Sequence, residues 1–420
     1  MFLSPHIHRD TRQTYRYDAL GNVAGAMLSA MLIAFGMFLA KQGRAPDWVV
    51  FVGVAGQFAP SLLAWAMPLV LRRVPLGSLL TALRLLAGFF LLPCIIHPSR
   101  GWFLFGYTGA LILIVLADYV YPSLLRLLYR PEEHRSVFST IFAVRAVSMF
   151  VMFLVLGAVL DRLAPQDGFR LLGCLAIVFS VTSACATWRF RHMHDAPPTA
   201  GDEPGAASPW ANRMFVRYLV ILTVFGIGNV GFLVLWPILA AVDFKFTNSE
   251  MGVFTALGML MQLAAYSWFS RHGRVPLTLR TTAGPFITYA LPCLAAAALL
   301  CRPAAHAVYF WALLPFMLLY NFGAGVWAMY FYLLVNKMAE PSSPMPYHAI
   351  QGTAVGVRGI AFSFVFGAFY QRFDMLAAQL LTAGFLLAAA VLALSSPRSF
   401  APVKQAEAET PAVALERVIE

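Results

Sequence analysis

The sequence predicts an all-α polytopic membrane protein, with twelve transmembrane helices arranged as two pseudo-symmetric six-helix bundles. Three observations predict it. Of 420 residues, 60% are hydrophobic and only 12% are charged, too few to cover a soluble protein of this length with polar surface. Windows of about 20 residues, the helical length that crosses a bilayer, pick out twelve apolar runs. One long hydrophilic interior stretch, RFRHMHDAPPTAGDEPGAASPWANR at 189–213, divides those runs six and six.

The first run, 17–40, follows a polar, basic segment (His6 to Arg16). It is too long for a signal-peptide core and no small-residue cleavage pattern follows, so it reads as a retained span. The second, 48–70, ends at the basic pair Arg72 and Arg73. Charges interrupt the next three: Arg84 in 76–96, Asp118 in 102–125 and Arg145 in 136–160. The sixth, 169–188, leads into a Pro-, Gly- and Ala-rich linker at 189–214, read as flexible and cytoplasmic. The seventh to tenth are 215–240, 251–270, 279–301 and 307–335; Pro and Gly inside them are tolerated because neighbouring helices satisfy the freed backbone. The eleventh, 347–370, contains Arg358, and the twelfth is 374–395. The expected units are an N-terminal bundle (1–188), the linker (189–214), a C-terminal bundle (215–395) and a mobile polar tail (396–420).

The net charge of +11 is unevenly spread. Sorting Lys and Arg by loop, with the amino terminus counted inside, gives nineteen inside and eight outside. Both termini are therefore expected in the cytoplasm, and a bacterial inner membrane is the expected location. The basic excess reports topology and contact with anionic lipid; no nucleic-acid partner is expected, since no basic tract is interleaved with aromatics. Cys94, Cys174, Cys185, Cys293 and Cys301 lie in or beside the spans without metal-ligand spacing and read as small buried side chains. His192 and His194 lack a third ligand. No metal and no cofactor is expected. There is no Gly-rich phosphate loop with Lys-Ser/Thr, no HExxH, no GxSxG and no Cys-His constellation, which argues against an ATP-driven pump and against an enzyme.

The halves look duplicated. PEEHRSVFSTIFAVR at 131–145 lies over PMPYHAIQGTAVGVR at 344–358 without a gap, matching Pro131/Pro344, Thr140/Thr353, Val144/Val357 and Arg145/Arg358. GAVLDRL at 157–163 matches GAFYQRF at 367–373, and RRVP at 72–75 matches GRVP at 273–276. Six plus six spans around a central linker resemble the major facilitator superfamily of secondary transporters. SRHGR at 270–274 is similar to the end of that superfamily's loop signature, Asp-Arg-x-Gly-Arg, with Ser270 in place of the acid. The amino-terminal counterpart (Val70, Leu71, Arg72, Arg73) has neither the acid nor the glycine. The resemblance implies alternating access, two bundles rocking about a central site, with Arg271, Gly273 and Arg274 as a conformational loop. It also implies that the third, sixth, ninth and twelfth helices are outer supports.

Charges within the spans require partners. Counting at 1.5 Å per residue from the expected cytoplasmic ends puts Arg84, Asp118 and Arg145 at roughly 12–14 Å depth and Arg358 at roughly 16 Å. Antiparallel neighbours at equal depth can pair, so Asp118 is expected to pair with Arg145 or Arg84. Asp18 and Asp243 lie near span ends, within reach of water. Arginine keeps its proton, so the others need carbonyls, water or an anion. Two roles stay open for Arg145 and Arg358: donating to backbone carbonyls, or facing the cavity and binding a substrate anion bidentately. Asp118 is either a static partner or an exchangeable one that couples proton flow to bundle movement. Gln57, Asn229, Gln262, Asn321 and Gln351, with Trp236, Tyr266, Trp327 and Tyr330 nearby, are cavity candidates or bridges between helices.

The expected function is secondary transport of a small organic solute, anionic or zwitterionic, by symport or antiport, with the lipid bilayer and protons as partners and a monomer as the working unit. Proton-driven efflux of amphipathic compounds, a receptor or scaffold, and a lipid translocator are the alternatives.

Overall fold

The structure is a computed structural model that describes residues 11–63, 74–96, 100–129, 131–192, 208–271, 277–302, 305–338 and 344–397. Among them there is no strand. The first half runs α1 (Arg12–Gln42), α2 (Asp47–Leu62), α3 (Leu76–Ile96), α4 (Arg100–Leu128), α5 (Pro131–Leu160) and α6 (Pro165–Trp188). The second runs α7 (Arg213–Asp243), α8 (Asn248–Arg271), α9 (Ala283–Leu300), α10 (His306–Met338), α11 (Pro344–Arg372) and α12 (Met375–Leu394). Nine described helices are long and apolar enough to cross a membrane. Side chains such as Phe89, Ile96 and Trp311 are more than half exposed, an apolar exterior that suits lipid and not water.

Local chemistry sets several boundaries. Asn212 caps α7, its Oδ1 accepting from the N–H groups of Met214 and Phe215 at 3.1 Å each, so the helix starts at Arg213, inside the stretch expected as linker. Asp374 caps α12 by accepting from Ala377 N at 2.6 Å, and α6 opens with Pro165 at its first position, where a missing N–H does no harm. Arg217 on α7 donates to the Ser395 carbonyl and Ser396 Oγ, which fixes the end of α12.

The duplication is visible in three dimensions. In the first half α3 packs on α4 and α6, α1 on α5 and α6, and α2 on α4; in the second α9 packs on α10 and α12, α7 on α11 and α12, and α8 on α10. Adding six to each helix number turns the first set into the second. The first helix of each half contains a π-helical segment, Met31–Gly36 within α1 and Leu239–Asp243 at the end of α7. The hairpins that follow each hold one basic residue at positive φ, Arg44 (60°) and Lys245 (54°), a conformation unfavourable for a side chain with a Cβ.

Between the halves α5 packs on α8 and α2 on α11, pairs that the same operation exchanges. At the end of the molecule remote from Arg12 and Leu394, here the far end, Gln42 Nε2 donates to the Phe246 carbonyl at 3.3 Å. The α5–α8 backbones meet at Gly157 and Gly252, where an added Cβ would lie 2.6 and 2.5 Å from the carbonyl oxygens of Asn248 and Phe153.

Inside the first bundle a seam of small hydroxyls joins α6 to its neighbours. Ser180 Oγ accepts from Gly88 N at 2.9 Å and donates to the Arg84 carbonyl, and Ser183 donates to the Gly21 carbonyl at 2.6 Å. A Cβ on Gly88 would lie 2.6 Å from Ser180 Oγ. Close approach matters more than the hydroxyl here. Ser180→Ala is expected to lower stability by about 0.6 kcal/mol, an average interhelical hydrogen bond in lipid, and Gly88→Leu by about 1–3 kcal/mol through overpacking. Reversible unfolding in mixed micelles measures both, and an equal loss for the two would contradict the ranking.

Candidate functional site

Four charged residues gather inside the first bundle. Asp118 on α4 faces Arg145 on α5, with Oδ1 and Nη2 3.7 Å apart. Half of the Asp118 side chain is exposed against 17% of Arg145, so this pair borders open space. Across the interface Tyr266 of α8 lies within electrostatic reach of Arg145. Arg84 on α3 is 5% exposed and within reach of Asp118, Asp18 and Arg145. Its guanidinium rests against α1, 3.1 Å from the position of a Gly21 Cβ and 3.7 Å from that of Gly25.

Asp18 was expected within reach of water, and the structure corrects that: it is 1% exposed. The helix starts at Arg12, so Asp18 lies two turns inside it. Its Oδ1 accepts from Asn22 Nδ2 at 2.8 Å. Its Oδ2 accepts from Tyr121 at 3.1 Å and from Tyr129, just past the end of α4, at 2.9 Å. Three donors and a nearby guanidinium satisfy the buried carboxylate. A signal was present in the sequence: Asp18, Gly21, Asn22, Gly25 and Ser29 repeat at helical spacing and form one polar, small face in an apolar helix.

Arg358, aligned with Arg145 by the repeat, has different surroundings. It is buried and donates through Nη1 to the Leu222 carbonyl of α7, while Nε has no hydrogen-bond partner. Its guanidinium fills the space that a Cβ on Gly226 would occupy. It therefore points into its own bundle, and the two arginines do not face each other across a shared cavity.

The other polar candidates are dispersed. Gln262 Nε2 donates to Asn321 Oδ1 at 3.2 Å, and Asn321 Nδ2 to the Met317 carbonyl at 2.8 Å, bridging α8 and α10. Gln351 donates to Tyr218 Oη at 2.6 Å and to the Phe331 carbonyl at 3.1 Å. Trp236 stacks among Phe232, Phe246 and Phe254, and Trp327 among Phe225 and Phe286. Tyr330 is buried and bonded to Thr281. All of these lie within the second bundle. Gln57 bonds Tyr107, whose hydroxyl donates to the Leu32 carbonyl at 2.9 Å in the π-helical segment of α1. Asn229 is half-buried with an Oδ1 that has no hydrogen-bond partner. Gly273, Arg274 and the side chain of Arg271 lie outside the described residues, as does His194.

Asp18→Ala and Tyr129→Phe test the cluster. Asp18→Ala leaves the donors of Asn22, Tyr121 and Tyr129 without their acceptor and takes one of two carboxylates from the reach of Arg84; it is expected to cost about 3–5 kcal/mol. Tyr129→Phe removes one donor and is expected to cost about 1 kcal/mol. Thermal unfolding of purified protein reads both; an Asp18→Ala chain as stable as the parent would contradict this account.

The sequence matches no protein-family profile and no curated protein. Solved structures do match in shape. Nucleoside transporter NupG superposes with a TM-score of 0.67 at 11% identity, over 91% of this chain and 98% of that one. A bacterial homologue of the human lysosomal transporter Spinster, inward-facing and unoccupied, gives 0.63 at 12% identity over 92% and 97%. A bacterial homologue of the iron transporter ferroportin, outward-facing with soaked iron, gives 0.56 at 13% identity over 90% and 98%. Twelve helices, packed as two related sets of six and superposing on these transporters over nearly their whole length, give this chain the fold of the major facilitator superfamily.

Proposed function

We propose that the chain is a secondary transporter that moves a small anionic or zwitterionic organic solute through an inner membrane by alternating access. Residues 1–188 and 215–395 move as two bodies joined by the linker at 189–214, with 396–420 as a tail. The termini are cytoplasmic, by the excess of Lys and Arg on their side. The far end, where α5 meets α8 and Gln42 meets Phe246, is then the outer face.

The observation that carries this reading is the Asp118–Arg145 pair. It is loose and partly exposed, it borders the other bundle at Tyr266, and its arginine offers a planar fork to a carboxylate or phosphate. Asp118 is the coupling acid: when a substrate anion takes the guanidinium, the released carboxylate binds a proton. Asn229, with an unpartnered acceptor, supplies a neutral contact. Arg358 serves the second bundle's packing.

Flux into proteoliposomes is the test. Arg145→Ala is expected to abolish saturable flux without changing the unfolding temperature, and Arg145→Lys to weaken substrate affinity roughly tenfold, since an ammonium cannot make the bidentate contact. Asp118→Asn is expected to retain exchange of substrate for substrate and to lose accumulation driven by a pH gradient. Full affinity in Arg145→Lys excludes bidentate binding, and pH-driven accumulation in Asp118→Asn excludes that coupling site.

A further inference from the structure

A helix must find partners for its first N–H groups outside its own hydrogen-bond ladder, and at α8 those partners come from two different bundles. The helix carries its own capping box, TNSE at 247–250. Thr247 N–H donates to Glu250 Oε2 at 2.8 Å, and Glu250 N–H to Thr247 Oγ1 at 3.1 Å. That leaves the N–H groups of Asn248 and Ser249. Both donate to Asp161, at the end of α5 in the other bundle: Asn248 N to Oδ1 at 2.7 Å and Ser249 N to Oδ2 at 2.9 Å. One turn before Asp161, Gly157 lets the α8 backbone come close enough for the carboxylate to reach.

We propose that Asp161 is the outer latch of the transport cycle, a carboxylate of one bundle that caps a helix of the other and holds the far end shut. The proposal rests on the alternating-access reading above. Two features suit Asp161 to a contact that is made and broken. The bonds are charge-assisted and align with the positive end of the α8 dipole, so the closed seam is favoured. Asp161 and Ser249 also lie toward the surface, so water takes up the carboxylate and the N–H groups when the seam opens, and no charge is stranded in the interior.

The related seam has no such latch. The repeat aligns Asp161 with Gln371 on α11, and Gly157 with Gly367, which packs against Phe51 of α2. Gln371 lines an open pocket of about 410 Å³ with Asp47, Asp243, Tyr370 and Asp374. The first turn of α2 already carries Asp47, whose charge would repel a second carboxylate. One seam of the far end is therefore locked by charge and its partner only by packing.

Distances measured by pulsed electron resonance on the full chain in lipid nanodiscs, with the native cysteines replaced, test the latch. One label pair, Leu163→Cys with Val242→Cys, reports the far end; another, His192→Cys with Lys337→Cys, reports the opposite end. Asp161→Asn is expected to raise the ratio of long to short far-end distances roughly tenfold, with a matching shortening at the opposite end. Asn248→Pro removes one donor at a position where proline suits a helix start. It is expected to shift the ratio the same way by less, and to add less than its own effect when combined with Asp161→Asn. An unchanged ratio in Asp161→Asn, where the parent chain samples both distances, overturns the latch and leaves transport standing. Far-end lengthening without shortening opposite means local fraying and also overturns it. A single fixed distance at both ends in every variant overturns the latch and alternating access together.

Discussion

Arginine does not give up its proton in a protein, so every guanidinium placed inside a helix bundle dictates what surrounds it. Among the described residues Arg84, Arg145 and Arg358 lie well within the spans, and each has a different arrangement around it. Arg84 lies against Gly21 and Gly25 of α1 with Asp18 within electrostatic reach. Arg358 lies against Gly226 of α7 and donates to a backbone carbonyl, with no carboxylate beside it. Arg145 faces Asp118 at the edge of its bundle. Glycine recurs because a flat guanidinium can approach a helix axis only where no Cβ stands in the way. The glycines of the first helix in each half are thus part of the charge arrangement as well as of the packing.

The helix packing obeys the internal repeat and the charges do not. In the second half Arg358, from the fifth helix of its bundle, occupies the place beside the first helix. In the first half the corresponding helix, α1, is already met by Arg84 from α3. Arg145, the counterpart of Arg358, is left to the interface, where Asp118 meets it. The α9 and α12 segments contain no charged residue, so nothing competes with Arg358. A duplicated scaffold can in this way keep one interaction pattern among its helices while a single added arginine redirects its neighbours and makes the two halves chemically unequal.

Which of these features can be read from sequence follows from geometry. Span length, the central linker and depth along a helix depend on composition and on a fixed rise per residue, and equal depth nominates Asp118 for Arg145 or Arg84, of which the structure pairs it with Arg145. Azimuth is different. Depth alone cannot tell which neighbour a side chain meets, so the alignment of Arg145 with Arg358 leaves carbonyl donation and a cavity-facing role both open, and in the structure Arg358 donates to the Leu222 carbonyl. For Gln262, Asn321 and Gln351 the same ambiguity leaves cavity lining and helix bridging both open, and in the structure their amides bond helices of the second bundle to one another. The burial of Asp18 depends on Tyr121 and Tyr129, more than a hundred residues away. Only its small, polar face on α1 was local enough to be seen.

The two acids of the cluster are unequal in their surroundings. Asp18 is enclosed and accepts three hydrogen bonds at 2.8–3.1 Å; removing it would leave three buried donors without their acceptor, at a cost of several kcal/mol. Asp118 meets Arg145 at 3.7 Å with half its surface exposed, a geometry for which pairing contributes about 0–1 kcal/mol. A partly exposed pair of this kind is one that the proposed cycle could break and remake, whereas an enclosed carboxylate with three donors is held in place by the fold. Arg84 lies within electrostatic reach of both acids, so a change of charge at either one alters the field at the same buried guanidinium.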